Sequence, residues 1–388
     1  MRFAIDCRMW RSGGIGTYLR NVVPQLIASL PDLHFFLLGR SEDLKDIARN
    51  GNHQVKLVEC TAPIYSIAEQ FELARKIARC DLSFSPHYNI PLFYRGIQIT
   101  TIHDIFHLAE ENDDKSIVKQ KYARTMLALA LRKSRVVFTP SQFTLSEMKK
   151  YGLPCLAKVK VVHLGFNSAT CDRAHPKTSE DKPFLLYVGN VKPHKNLRRL
   201  VAAYKRLHEH YHMTLPLVIV GEVDHFITGI PGFREEISES SWGRWITFTG
   251  RFDDKKLPDM YRNAGVLVLP SLYEGFGLPP LEAMSYGCPC VVSRAGAMPE
   301  ICGNAAVYCD PYDPHDIADK IYHVVSDASL RQRLIKSGYE RVRRFSWDNP
   351  VKAIMDVIEE TSNRSRSSLI LHRPSVEIED RKNELIVS

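Results

Sequence analysis

The chain has 388 residues, of which 44% are hydrophobic and 25% charged, and its formal net charge is +8. Such a composition excludes a disordered, a collagen-like and a multispan membrane protein, and at about 150 residues per domain the length favours more than one domain. The positive surplus is small for so long a chain, and the sequence has neither zinc-finger spacing nor an aromatic RNA-binding motif. We therefore expect no nucleic-acid partner.

The nine cysteines are scattered along the chain and form no CxxC pair. This pattern predicts buried free thiols in a reducing compartment rather than a disulfide framework. No apolar run approaches the ~18 residues that a membrane span requires, and Met1 leads almost directly into a predicted strand. The sequence thus predicts a cytoplasmic protein, at most peripheral on the inner face of a membrane.

In the first half of the chain, short apolar runs alternate with stretches of helical length, such as 15–30 and 115–135. The predicted strands are 3–6, 34–38, 55–59, 82–85, 97–103 and 136–140. Strands that alternate with helices favour a parallel, doubly wound sheet that is covered on both faces.

The polar stretch 168–182 interrupts this alternation, which then starts afresh. The second set of predicted strands is 184–188, 217–220, 246–249, 266–270 and 290–293, and three helices are expected between 314 and 360. We therefore predict an α/β protein with two Rossmann-like, doubly wound domains that face each other across a cleft, the default ligand site. The predicted segments are a first domain over 1–167, a linker over 168–182, a second domain over 183–360 and a flexible tail over 361–388.

The most informative motif is SLYEGFGLPPLEAM at 271–284, between a predicted strand and a predicted helix. Gly275 and Gly277 allow backbone amides to approach a ligand closely, and the start of the helix offers free N–H groups to a phosphate. Glu274 and Glu282 flank this turn, and ionised carboxylates accept hydrogen bonds from sugar hydroxyls. The turn therefore suits a phosphate and the flanking carboxylates suit sugar hydroxyls, but glycine and proline also occur in such turns for packing reasons alone, and two glutamates eight residues apart do not decide between these explanations.

The Glu-x7-Glu pattern in this glycine-rich setting resembles the signature of the retaining glycosyltransferases of family 4, which have the two-domain GT-B fold. The likeness extends over nearly all of 1–360. In that family the first glutamate and the following amides hold the transferred sugar, and the second glutamate holds the nucleotide ribose. The matching residues are Glu274, Gly275, Phe276, Gly277, Leu278 and Glu282.

A second motif, FLLYVGNVKPHKN at 184–196, opens the second domain. A strand, a turn at Gly189 and then a cation suit a diphosphate, and the family places an arginine and a lysine there. Lys195 matches the lysine, whereas Asn190 stands where the arginine often is. The candidates for the missing cation are Lys192, His194, Arg198 and Arg199.

The loop GGIGTY at 13–18 follows the first predicted strand. It is not a GxGxxG fingerprint, and no acidic residue ends a clear second strand, which disfavours a dinucleotide-dependent oxidoreductase. The resemblance implies that Gly14 and Gly16 lie in the cleft near the donor phosphates. An ordinary tight turn is the alternative.

Two further positions resemble functional positions of the family. His103, in TIHD at 101–104, matches a histidine that shapes the reaction centre, and a core histidine is the alternative; His87 and His107 are weaker candidates. Arg251, in TGRF at 249–252, lies where the family reads the nucleobase.

The resemblance implies a retaining, metal-independent hexosyltransferase without a cofactor, because the sequence has no DxD motif and no metal-ligand spacing. Lys195 and helix N-termini would stabilise the departing diphosphate, and front-face retention is expected. The motifs resemble those of bacterial mannosyltransferases that build O-antigen and other surface polysaccharides in lipopolysaccharide synthesis. GDP-mannose is thus the expected donor, and UDP-glucose its rival.

The acceptor is expected to be a glycan or a lipid-linked oligosaccharide. The stretch 115–135 carries seven basic residues and no acidic one, so it predicts either an anionic membrane contact or a solvated surface helix. A nucleotide-sugar epimerase and a non-catalytic sugar-binding protein are the remaining alternatives.

Overall fold

The computed structural model describes residues 1–50, 54–109, 116–166, 183–221, 237–240, 242–250, 252–253 and 255–371, with backbone alone at 50 and 363–371. These residues form two parallel sheets covered by helices. The first sheet consists of β1 (Arg2–Asp6), β2 (His34–Gly39), β3 (Val55–Glu59), β4 (Leu82–Ser85), β5 (Ile97–Thr101), β6 (Ser134–Thr139) and β7 (Val159–Val161). The second consists of β8 (Leu185–Val188), β9 (Leu217–Val220), β10 (Ile246–Phe248), β11 (Val266–Leu269), β12 (Cys290–Ser293) and β13 (Val307–Cys309).

Helices connect the strands in both domains. Those of the first domain are α1 (Gly13–Ser29), α2 (Ser41–Asn50), α3 (Ile67–Lys76), α4 (Ile117–Lys133) and α5 (Gln142–Lys150). Those of the second half are α6 (Leu197–Glu209), α7 (Leu257–Asn263), α8 (Leu278–Ser285), α9 (Met298–Cys302), α10 (Pro314–Ser326), α11 (Ala328–Val342) and α12 (Asp348–Leu371). Capping side chains explain several of the starts: Ser66, Ser116 and Ser141 each accept a hydrogen bond from the amide three residues on.

Both sheets are doubly wound, as predicted. The strand orders are β3-β2-β1-β4-β5-β6-β7 and β10-β9-β8-β11-β12-β13, with parallel pairing throughout. The order reverses between β1 and β4 in the first sheet and between β8 and β11 in the second. Ligands of open α/β sheets bind at the carboxyl ends of the strands at such switch points. The loops that follow β1, β4, β8 and β11 are therefore the structural candidates for a site.

The final helix extends beyond the predicted end of the second domain. The boundary at 360 falls inside α12, which continues to Leu371, so residues 361–371 of the expected flexible tail are helical. This helix packs against α1 of the first domain, and Ile358 shares a cavity wall with Met1 and Leu33. The predicted linker at 168–182 and residues 372–388 lie outside the described residues.

The described cysteines are free thiols, and all but Cys155 are buried. Within the part of the chain that the structure describes, no helix has the length and apolar character needed to cross a membrane. In the same ranges, no group of three or more His, Cys, Asp or Glu side chains is placed to hold a metal ion.

Candidate active site

The loop after β8 is fastened to the loop after β11 by Asn196. This residue has a left-handed backbone, with φ 61°, and precedes the first residue of α6. Its side-chain amide donates hydrogen bonds to the carbonyl oxygens of Pro270 (2.8 Å) and Pro311 (2.6 Å). Because Asn196 is buried, these bonds hold the preceding residue, Lys195, beside the loop that carries Glu274.

Lys195 and Glu274 form an ion pair at the switch point of the second sheet. Lys195 Nζ lies 2.6 Å from Glu274 Oε1, and Ser271 Oγ donates to the same oxygen over 2.8 Å. The lysine and glutamate side chains are 21% and 12% exposed, so the pair is largely buried but still reaches solvent. The fold thus joins a carboxylate, which suits sugar hydroxyls, with an ammonium, which suits a phosphate.

Two of the candidates for a second cation are unsuited to that role. Burial lowers the pKa of His194 to about 2, so the imidazole is neutral at pH 7. Arg199 donates to Asn196 Oδ1 over 3.0 Å and lies above the ring of Tyr312. Arg198 is exposed on the following helix.

Lys192 is the candidate that lies in the electrostatic field of Lys195. Burial lowers its pKa, the charge of Lys195 lowers it further, and Asp104 opposes both effects. Asn190, half-buried after Gly189 at the end of β8, has no charge to contribute. The positive charges of Lys192 and Lys195 repel each other, and an anion bound between them would offset this repulsion.

The α8 start has the geometry that the motif predicts. Gly277 precedes the helix with φ 100°, a backbone conformation that only glycine adopts readily. Pro279 and Pro280 have no N–H, so the first turn of the helix offers the amides of Leu278 and Leu281. Phe276 is buried, so its amide and not its ring is the group available to a ligand. One turn on, Glu282 Oε2 accepts a hydrogen bond from the Tyr261 hydroxyl over 2.7 Å.

His103 follows β5 in the first domain and is half-buried. Burial lowers its pKa to about 4, although Asp104 and a hydrogen bond to the Pro86 carbonyl favour the protonated form. Its ring packs edge-on against Tyr18, and its Nε2 has no hydrogen-bond partner. Since the other ring nitrogen donates to Pro86, Nε2 is an acceptor that a hydroxyl group would satisfy.

The two domains meet where the loop after Glu274 contacts the loop after β5. A Cβ atom on Gly275 would overlap the His103 carbonyl and come within 2.8 Å of Asp104 Cβ. Ser141 Oγ and Thr144 Oγ1, at the start of α5, donate to the Gly275 carbonyl over 2.6 and 3.3 Å. This contact places the loop that carries His103 against the loop that carries Glu274.

Glu300 of α9 makes a second contact across the same boundary. Its carboxylate accepts hydrogen bonds from the amides of Gln142 (2.9 Å) and Phe143 (3.1 Å) and lies 2.9 Å from His163 Nε2. Burial raises the pKa of Glu300, but the bonds from His163 and the two amides outweigh it and hold this pKa below its ordinary value. We refer to Ser141, Thr144, Gly275 and Glu300 as the interdomain clasp; nothing in the sequence pattern indicated it.

The glycine loop of the first domain is the first turn of α1. Gly14 is exposed, and a Cβ atom there would meet nothing within 4 Å. Gly16 is buried, and a Cβ atom there would lie 3.1 Å from the Met9 carbonyl oxygen, so close packing already requires glycine at this position. Arg251, the predicted base contact, lies outside the described residues.

A polar network that the sequence analysis missed lies at the ends of β1 and β4. Arg8 pairs with Asp6 (2.8 Å) and with the fully buried Glu69 of α3 (2.6 Å). Glu69 also accepts a hydrogen bond from Asn89, whose oxygen accepts one from the Tyr122 hydroxyl over 2.8 Å. These residues are far apart in the sequence and form no motif, so only the strand order brings them together.

Aromatic rings cover this network. Tyr65 has a left-handed backbone (φ 69°), and its ring lies 6.4 Å from that of Tyr122 and 5.6 Å from that of His87. Burial lowers the pKa of His87 to about 3, so this residue is neutral at pH 7. The ring of Tyr88 lies 6.1 Å from that of His107, which connects the cluster to the loop after β5.

Two family models match successive parts of the chain: "Glycosyltransferase Family 4" over 12–170 and "Glycosyl transferases group 1" over 170–341. The O-antigen chain mannosyltransferase B of Escherichia coli is 31% identical over 284 residues, which are 68% of this chain and 71% of that protein.

Two solved structures show the same fold. Sucrose-phosphate synthase from Thermosynechococcus elongatus superposes with a TM-score of 0.74 at 19% identity, over 94% of this chain and 100% of that one. Anabaena HepE in complex with UDP-glucose superposes with a TM-score of 0.73 at 16% identity, over 93% and 100%. The family models, the Escherichia coli relative and the two facing Rossmann-like domains agree, and the chain therefore belongs to glycosyltransferase family 4 and is a hexosyltransferase of the GT-B fold.

Proposed function

We propose that this enzyme is a retaining hexosyltransferase that moves mannose from GDP-mannose onto a glycan or lipid-linked oligosaccharide in surface-polysaccharide synthesis. The observation that carries the proposal is the Lys195–Glu274 pair at the second switch point, held against the His103 loop by Gly275. It joins a cation for the leaving diphosphate to a carboxylate for the sugar.

The donor binds at the second domain. Lys195 and Lys192 contact its diphosphate, together with the free amides at the start of α8, and Glu274 accepts hydrogen bonds from the sugar hydroxyls. Glu282, oriented by Tyr261, accepts from the ribose. The remaining expected donor contacts are Gly14, Gly16, Gly189, Asn190 and Arg251.

The choice of mannose rests on the mannosyltransferase relative from Escherichia coli. UDP-glucose is the second candidate because the similar fold of Anabaena HepE was solved in complex with it. HepE is only 16% identical in sequence, so its similar fold does not favour UDP-glucose over GDP-mannose.

Transfer occurs on one face of the sugar. The bond between C1 and the diphosphate oxygen breaks and its electron pair goes to the leaving group, whose charge the two lysines stabilise. The acceptor oxygen forms its bond to C1 on the same face, and its proton passes to the departing phosphate oxygen. Glu274 is committed to Lys195 and Ser271, which favours a hydroxyl-binding role over that of a covalent nucleophile. The neutral Nε2 of His103 accepts a hydrogen bond from a sugar hydroxyl.

We include metal independence and the absence of a cofactor in the proposal, since protein cations supply the charge that the leaving group requires. Turnover that is unchanged in excess EDTA supports metal independence, and loss of turnover that Mg²⁺ or Mn²⁺ restores contradicts it.

The acceptor sugar binds on the first domain, where Tyr65, Tyr122 and His87 offer aromatic faces over the Arg8–Glu69 network.

The decisive experiment separates donor binding from chemistry. Glu274→Gln keeps the shape of the side chain but removes its charge, so we expect turnover to fall at least about 100-fold while nucleotide binding is nearly unchanged. Glu340→Gln, an exposed position on α11, is the matched control. Unchanged turnover in Glu274→Gln contradicts the proposed site.

Thermal unfolding with GDP, UDP, ADP and their sugars identifies the base. A ligand at about 100 times its Kd adds about 2.7 kcal/mol to the free energy of unfolding, enough for a measurable shift in Tm. We expect shifts with GDP and GDP-mannose. Shifts with UDP species alone select the second candidate, and no shift with any nucleotide contradicts the proposed donor site.

A further inference from the structure

A tyrosine hydroxyl near the end of β8 has no hydrogen-bond partner among the described residues. Tyr187 lies two residues before Gly189 on this interior strand of the second sheet, and its side chain is completely buried. A hydroxyl that is buried without a partner costs free energy, so buried tyrosines usually donate to a neighbouring group. The exception at Tyr187 therefore calls for an explanation.

Two other buried tyrosines of the second domain have bonded hydroxyls. Tyr204 of α6 donates to the Leu215 carbonyl over 2.9 Å, and Tyr261 of α7 donates to Glu282 over 2.7 Å. Both are as deeply buried as Tyr187, so burial alone does not account for a hydroxyl without a partner. The explanation lies in the position of Tyr187 at the second switch point.

The Tyr187 hydroxyl lies beneath the turn that opens the loop after β8. The three atoms nearest to a Cβ atom placed on Gly189 all belong to the Tyr187 side chain, and the closest is its Oη at 3.4 Å. Residues two apart in a strand project to the same face, so the glycine gives the tyrosine ring room to extend to the end of the strand. The loop above it carries Lys192 and Lys195.

The backbone of Gly189 is already engaged within the sheet. Its amide donates to the Val220 carbonyl over 2.9 Å, and its carbonyl oxygen packs so closely on Gly221 that a Cβ atom there would overlap it. The turn thus has no N–H of its own to offer a ligand at this point. The Tyr187 hydroxyl beneath it is a donor that can take this part.

The electrostatic surroundings keep this hydroxyl protonated. Burial raises the pKa of Tyr187, and the negative charge of Glu274 raises it further. Since Glu274 is paired with Lys195, the hydroxyl lies in the field of the same ion pair that defines the proposed donor site. A neutral O–H group that cannot ionise at working pH suits a negatively charged oxygen as its acceptor.

We infer that Tyr187 binds the donor: its hydroxyl donates a hydrogen bond to an oxygen of the diphosphate, at the floor of the loop that carries Lys192 and Lys195. The inference rests on the proposed function, because it assigns a further residue to the same donor site. Diphosphate oxygens are charged and only accept hydrogen bonds, whereas the sugar hydroxyls have an acceptor in Glu274. The contact requires a small shift of the turn at Gly189, which the backbone freedom of glycine permits.

Two tyrosine-to-phenylalanine variants test the inference, since each removes a single oxygen atom. Tyr187→Phe should leave the Tm of the ligand-free protein unchanged or raise it, because the lost hydroxyl has no partner, and should raise the Kd for GDP about tenfold or more. Tyr204→Phe, the matched control, should lower the Tm without changing the Kd, because the Leu215 carbonyl loses its donor. Thermal unfolding and calorimetric titration measure the two quantities. The same comparison is made with UDP, which carries the same diphosphate.

A Tyr187→Phe variant that binds nucleotide as tightly as the unmodified protein overturns the inference. So does weaker binding of GDP-mannose with unchanged binding of GDP, because the hydroxyl would then contact the sugar. A fall in Tm equal to that of Tyr204→Phe would show that the hydroxyl has a partner in the free protein, and this also overturns the inference. An unmodified protein that binds neither GDP nor UDP contradicts the proposed function itself.

Discussion

At the scale of single residues, the site is defined by charges that compensate one another in the absence of substrate. Lys195 neutralises Glu274 at 2.6 Å, and Lys192 repels Lys195 from nearby. In the proposed donor complex, the diphosphate would replace a lysine–lysine repulsion with two attractions. The position that lacks the usual family arginine, Asn190, lies in the same loop.

This arrangement predicts a rescue between two positions. Lys192→Ala should weaken GDP binding by roughly tenfold, because one charge-assisted contact is worth about 1.5–3 kcal/mol before solvent screening. Adding Asn190→Arg to that variant should restore most of the affinity, since the arginine supplies a cation after β8. Calorimetric titration with GDP measures both changes. An unaffected Lys192→Ala variant shows that Lys192 is not the second cation.

Substitution by alanine should have opposite effects on stability at two glycines of the predicted site. Gly275→Ala should lower the free energy of unfolding by about 1–3 kcal/mol, because the new Cβ overlaps the His103 loop, and turnover should fall as Glu274 shifts. Gly14→Ala meets no atom within 4 Å and should raise that free energy by up to about 1 kcal/mol through helix propensity. Thermal unfolding and turnover are measured for both. Equal stability effects would show that the Gly275 contact gives way without cost.

At the scale of elements, the start of α5 joins the domains. Ser141 and Thr144 hold the Gly275 carbonyl, while Glu300 accepts from the first amides of the helix. A carboxylate at a helix N-terminus is stabilised both by these hydrogen bonds and by the helix dipole. The interdomain clasp therefore ties α5 of one domain to α8 and α9 of the other.

The carboxylate of Glu300 should make this clasp sensitive to acid. Its folded pKa lies below the ordinary value, so its contribution is fully present above the unfolded pKa of about 4.3 and is lost as pH falls through the folded pKa. Glu300→Gln should lower the free energy of unfolding by roughly 1–2 kcal/mol at pH 7. The difference from the unmodified protein should shrink below about pH 4.

Chemical denaturation at several pH values measures this difference, with Glu340→Gln as the control for removal of an exposed carboxylate. A deficit in Glu300→Gln that is the same at pH 7 and at about pH 3 would show that the ionised carboxylate is not responsible.

At the scale of the whole molecule, the chain crosses between the domains twice. After α11 it returns to the first domain, where a Cβ atom on Gly165 would overlap the backbone of Trp347. Helix α12 then packs on α1. The return segment and the clasp lie on different elements, so the mutual arrangement of the sheets is fixed at two places.

This double connection predicts coupled unfolding. Ile358→Ala, at a buried position near Met1 and Leu33, should cost about 2–5 kcal/mol and separate the calorimetric transition into two. Lys352→Ala, exposed on the same helix, should leave a single transition. One unchanged transition in both variants would show that α12 does not couple the domains.

Much of the architecture follows from local sequence alone. Strands such as β9 and β12 were predicted with their exact bounds, because buried parallel strands are nearly continuous apolar runs. The edge strands β7 and β13 were missed, whereas β10, also an edge strand of three residues, lies within the predicted stretch 246–249. Helix α12 extends beyond its predicted end at 360 and continues to Leu371.

The sequence by itself determined the two α/β domains, the family and the loops that carry Glu274, Lys195 and His103, because each depends on residues close together along the chain. Only the tertiary structure decided that Lys195 meets Glu274 across 79 positions. The Arg8–Glu69 network and the interdomain clasp were likewise invisible in the sequence. Their members belong to different elements, and strand order and domain packing, which no local pattern encodes, bring them into contact.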